Sequence, residues 1–241
     1  MSLLKFESML KTNSVYFFDL VEFEEIIVHY LDAGKHSLAK KAVKLGLEQH
    51  PQSVDLKLLQ VELYVFEDEL DKATLLLNKI EKIDPHNEEV FIQKAAILSK
   101  RGNHEDAIQN LEKALVYTDD NLDVWSLLGM EYLYLEDYSN ARSYFEKCLN
   151  EDEEDYSALY NIIYCYDMCN ESELAIPFLN DYINKNPYCE VAWHQLGRQF
   201  YSLKNYEKSV WAFDYATLID ENFLGAYLEK AKGLEKLNIV F

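Results

Sequence analysis

At 241 residues, with 49% hydrophobic residues, the chain has ample material for a buried core, and its 7 Gly and 4 Pro form no stretch of linker composition. A formal charge of -20, spread along the whole length, repels phosphate backbones and anionic lipid surfaces and so argues against nucleic acid and membrane as partners. No run approaches the ~18 apolar residues needed to cross a bilayer. Lys5, Glu7, Lys11 and Asp19 interrupt the apolar residues of the N-terminal segment, which leaves no secretory signal, so a cytoplasmic location is expected.

Residues 1–19 read as an N-terminal capping helix. From Leu20 onward a 34-residue window can be stepped along without insertion or deletion. The windows are 20–53, 54–87, 88–121, 122–155, 156–189 and 190–223, with a partial seventh from 224 to 241. Their fourth residues are Phe23, Lys57, Phe91, Trp125, Leu159, Trp193 and Tyr227. Their eleventh residues are Tyr30, Tyr64, Leu98, Tyr132, Tyr166, Phe200 and Leu234. With the seventh and eighth residues these form the i, i+3, i+4, i+7 stripe of one amphipathic helix.

The twentieth residues (Ala39, Ala73, Ala107, Ala141, Ala175, Ser209) and the twenty-fourth (Val43, Leu77, Leu111, Phe145, Leu179, Phe213) form the stripe of a second helix. Between the two, the fifteenth to seventeenth places are turn-like, as within Ala33-Gly34-Lys35-His36, which spans the fourteenth to the seventeenth. Pro51, Pro85 and Pro187 follow the second helix. Small residues at the eighth and twentieth places let the two backbones approach, while aromatics fill the space between successive pairs. Ile27, Val61 and Ile163 depart from the small eighth residue, and Lys57 from the bulky fourth. Pro177 falls past the first turn of its helix, where it removes a hydrogen bond and predicts a kink.

The windows resemble the tetratricopeptide repeat over residues 20–238, with the Leu128-Gly129 and Leu196-Gly197 pairs carrying the family's signature. The resemblance implies an all-α, right-handed superhelical solenoid of antiparallel helix pairs, whose first helices line a concave groove that binds peptides or partner proteins. It implies a non-catalytic scaffold with no cofactor. The groove residues it designates are Ser126, Met130, Leu133, Tyr134, Tyr160, Tyr164, Asp167, His194, Arg198, Tyr201 and Lys232. Tyr and Met suit an adaptable binding face, and His194, Arg198 and Lys232 are its positive groups. The Lys and Asn set with which some members of the family clamp a C-terminal carboxylate is absent from the fifth and ninth places.

Motifs of catalysis are missing: there is no Gly-rich phosphate loop, no His-Glu-x-x-His and no nucleophile elbow. Cys148, Cys165, Cys169 and Cys189 read as free thiols, since Cys165 and Cys169 lack the second pair that a structural zinc site requires. The acidic run at residues 151–155 reads as a solvated inter-helix turn, because it lacks the Gly and the spacing of a calcium loop. The partial seventh window stops at Asn238-Ile239-Val240-Phe241, where a polar capping helix would be the usual end of a solenoid. Continuation into further repeats, or self-association through an apolar C-terminal edge, is the alternative this suggests.

Overall fold

The computed structural model describes residues 2–12 and 16–238, and among them there are fourteen α-helices and no strand. A short helix, α1 (Ser2–Thr12), precedes six helix pairs. The first helices are α2 (Leu20–Asp32), α4 (Val54–Phe66), α6 (Glu88–Lys100), α8 (Leu122–Tyr134), α10 (Tyr156–Met168) and α12 (Glu190–Ser202). The second helices are α3 (His36–Gln49), α5 (Leu70–Ile83), α7 (His104–Tyr117), α9 (Tyr138–Glu151), α11 (Ser172–Lys185) and α13 (Tyr206–Ile219), and α14 (Leu224–Lys236) follows. Pro177 does not terminate α11. Residues 239–241, on which the expectation of an apolar edge partly rests, lie outside the described residues.

One backbone device recurs after every first helix and after α14. The fifteenth residue of each window adopts a left-handed conformation: φ is 65° at Gly34, 60° at Asp68, 76° at Gly102, 57° at Glu136, 57° at Asn170, 61° at Lys204 and 57° at Asn238. The bonds around it close the helix end. Lys35 N donates to Tyr30 O at 2.7 Å and Gly34 N to Leu31 O at 2.9 Å, and the same pair appears at Asn205 to Phe200 and Lys204 to Tyr201, both 2.9 Å. This is the 6→1 and 5→2 pattern that satisfies a helix's last carbonyls. Side-chain caps then start the next first helix, with Asp19, Ser53, Asn87 and Asp155 each accepting from a backbone N–H.

The chain divides into two compact units, one up to residue 124 and one from 125 onward. In the first, α1 lays Phe6 against Phe18, Phe23 and Tyr30, with ring centroids 5.8, 6.4 and 6.2 Å apart, and so covers the apolar start of α2. Successive helices pack in order, and neighbouring first helices also touch, α2 with α4 and α4 with α6.

In the second unit α10 touches α12 and α12 touches α14, which gives the first helices a shared face. Inside its pairs, close approach is set by glycine. A Cβ on Gly129 would lie 2.7 Å from the Phe145 ring, and one on Gly197 would lie 2.5 Å from the Phe213 ring. Where the eighth residue is larger, the twenty-fourth is smaller: Ile27 with Val43, Val61 with Leu77, Ile163 with Leu179. Cys148, Cys165 and Cys189 are buried and Cys169 is exposed, and none of the four is in a disulfide. Burial pushes the Cys165 thiol up to about 11.

Candidate functional site

The second unit contains a cavity of about 580 Å³ on the face shared by α10, α12 and α14, extended by the turn into α11. Asp167 from α10, Arg198 and Tyr201 from α12, and Lys232 from α14 line it together, so four of the eleven groove residues expected from the sequence meet in one place. All four occupy the ninth or twelfth place of their windows, which a 3.6-residue period puts on one helix face.

Polar side chains fix the wall. Gln199 Nε2 donates to Asp167 Oδ1 at 2.8 Å, and Arg198 Nη1 donates to Gln195 Oε1 at 3.0 Å while Nη2 stands 3.6 Å from Asp167 Oδ2. Gln195 and Gln199 are each 1% exposed, one turn apart on α12, and they hold the guanidinium and the carboxylate from behind. The Ser172 and Ser202 hydroxyls lie 2.8 Å apart, and Ser202 Oγ also donates to Gln199 O.

Arg198 is itself exposed, so one face of its guanidinium remains open to a ligand. Glu229 is drawn to the edge of the site by His194, whose Nε2 is 3.4 Å from Glu229 Oε2. The imidazole beside it holds the Glu229 carboxyl below the usual carboxylate range, against the raising effect of burial, and Arg198 and Lys232 add to the lowering.

The other expected residues lie elsewhere. Ser126, Met130 and Tyr134 are exposed on α8 and Leu133 is half-buried there, while Tyr160 and Tyr164 are exposed on α10 and do not line the cavity. Tyr164 stands edge-on to Tyr138 at 6.3 Å. His194 is 9% exposed, with its ring 4.8 Å from Phe223 and 5.5 Å from Phe213, so it supports Glu229 from within.

Asn170, Glu173, Gln199 and Glu229 were not among the residues expected from the groove positions. Gln199 and Glu229 sit at the tenth and sixth places, which belong neither to the stripe of the fourth, seventh, eighth and eleventh residues nor to the designated groove residues. A Gln at both the sixth and tenth places of one window, Gln195 and Gln199, was the available signal that polar groups are held inside α12.

Residues 122–155, the window formed by α8 and α9, match the family model described as Tetratricopeptide repeat. The chain has the tetratricopeptide-repeat fold. Among solved structures, PilF of Pseudomonas aeruginosa matches with 19% identity over 87% of this chain and 96% of its own, at a TM-score of 0.61. YrrB, described as a TPR protein with an unusual peptide-binding site, matches with 19% identity over 79% of this chain and 98% of its own, at a TM-score of 0.55. A chain of the APC/C hetero-tetramer Cut9-Hcn1 is 17% identical over 98% of this chain and 46% of its own, at a TM-score of 0.58. At such identities the repeat fold is what the likeness carries.

Proposed function

We propose that the chain is a non-catalytic interaction scaffold, and that the cavity on α10, α12 and α14 binds a peptide segment of a partner protein carrying an acidic group. The observation that supports this is the placement of Arg198 and Lys232 in a cavity of about 580 Å³, in a chain whose formal charge is -20. Arg198 offers a planar, permanently charged fork already held in position by Gln195, which suits bidentate recognition of a carboxylate. Tyr201 supplies aromatic area beside it. The peptide-binding site ascribed to YrrB, which shares this fold, is consistent with the same use. Among the described residues no helix is long and apolar enough to cross a membrane.

A second reading, self-association through α14, rests on Leu224 and Leu228, which are 73% and 65% exposed. Leu234, at the other end of that helix, is buried and does not belong to such a surface. The test compares affinity capture by the wild-type chain with capture by Arg198→Ala/Lys232→Ala. A partner retained by the first and lost by the second supports the cavity. Equal capture by both, together with a concentration-dependent mass, supports self-association.

A further inference from the structure

The first unit has a cleft of its own on the face of α2, α4 and α6, with a volume of about 390 Å³. Five carboxylates line it: Glu24 on α2, Asp55 and Glu62 on α4, Glu88 and Glu89 on α6. No Lys, Arg or His is among the described residues of its wall. A solvated acidic surface would account for carboxylates alone. It does not account for Gln93, which is 9% exposed and lines the same cleft. Its Nε2 donates to Leu58 O at 3.3 Å and to Glu89 Oε1 at 2.8 Å, and its Oε1 is buried without a donor. Glu24 Oε1 is likewise buried without a donor. Both unmatched atoms are acceptors, and buried acceptors are ordinarily matched by donors.

We propose that this cleft is a second binding site, which takes the lysine or arginine side chains of a partner peptide. An ammonium or guanidinium brings only donors, several at once, to a wall that carries five carboxylates and, among its described residues, no basic side chain. Val28 and Leu58 on the same wall give the aliphatic stem of such a side chain an apolar surface to lie along. The carboxylates are spread over three helices, and among the described residues no group of His, Cys, Asp or Glu is placed to hold a metal ion, so the geometry fits an extended organic cation. Burial raises the carboxyls of Glu24, Glu62 and Glu89, with Asp55 adding to the first, Asp32 to the second, and Glu62 and Glu88 to the third. Their charge is therefore held at a cost that a bound cation would relieve.

The assignment is independent of the cavity in the second unit. Its test is a titration of the full chain at physiological salt with fluorescein-labelled, terminally blocked tetra-arginine and tetra-lysine peptides, with tetra-glutamate as the control. The wild-type chain is expected to bind the basic peptides saturably, and Glu62→Gln/Glu89→Gln to bind them at least about tenfold more weakly. Glu207→Gln/Glu221→Gln, which removes the same charge from exposed positions of the second unit, is expected to bind as wild type, as is Arg198→Ala/Lys232→Ala. Asp55→Asn, at the exposed rim, gives a second reading of the cleft should the double variant fail to fold. Equal weakening by both glutamine pairs would reduce the effect to general attraction by an acidic chain and overturn the site. So would the absence of saturable binding. Displacement of the peptide by an equal concentration of spermine would make the cleft a polyamine site and overturn its assignment to a peptide.

Discussion

Gly197 and Phe213 share a space that admits only one of them at full size: a Cβ added to the glycine would stand 2.5 Å from the ring. Overpacking of this kind costs about 1–3 kcal/mol, because neither the helix backbone nor a buried ring gives way easily. Gly197→Ala is therefore expected to lower the melting temperature, and adding Phe213→Leu to restore part of the loss, since Ile163 and Leu179 show that a larger eighth residue is tolerated with a leucine opposite. Circular dichroism melts of the two single variants and the double test the coupling. Additive losses would deny it.

Glu136 has a φ of 57°, in a region that costs a residue with a Cβ about 1–2 kcal/mol and glycine nothing. Glu136→Gly is expected to melt above Glu136→Ala, which removes the same charge without relieving the backbone. A difference of about 1 kcal/mol is the expected size, reduced by the entropy that glycine adds to the unfolded chain.

Glu89 gives the first unit a pH dependence of defined sign. Burial raises its carboxyl above the usual range, against the lowering effect of the Gln93 hydrogen bond, and Glu62, Glu88 and Asp123 raise it further. A folded pKa above the unfolded one means that the group's contribution to stability is present below the unfolded value and lost as pH rises through the folded one. Glu89→Gln keeps an acceptor for Gln93 and removes the charge. It is expected to melt above wild type at pH 7, with the gap closing as pH falls through the carboxylate range. A lower melting temperature at pH 7 would contradict this.

Asp167 competes with any acidic ligand for Arg198, which stands 3.6 Å from it. Asp167→Asn preserves an acceptor for Gln199 and removes the competing charge. It is expected to bind a captured acidic partner more tightly, by a few-fold, whereas Arg198→Ala loses it. Measured dissociation constants for the two variants check the pair of opposite signs.

The helix positions were legible because one period carries them: every first helix begins at the first residue of a window and every second helix at the seventeenth. The left-handed turn was legible at Gly34 and Gly102, where glycine announces it. At Glu136 and Lys204 it was hidden, because the paired backbone bonds of the turn, such as Lys204 N to Tyr201 O at 2.9 Å, hold a residue with no preference for that conformation. Asp167, Arg198, Tyr201 and Lys232 could be found by counting, since their places share a face. Glu229 could not. It stands outside the designated groove residues of α14 and is held at the cavity by His194, which pairs with it from inside the unit, a contact between windows that no single window displays. The acidic cleft was missed for a similar reason: its carboxylates are scattered over three helices and gather only when α2, α4 and α6 are laid side by side.

Amide hydrogen exchange on the full chain, free and saturated with the captured partner, tests the central claim most directly. If the cavity of the second unit is the binding site, protection will concentrate at residues 167–173, 198–203 and 229–232, and the Arg198→Ala/Lys232→Ala variant will show none. Protection confined to the second helices α9, α11 and α13, with those segments unchanged, would contradict it.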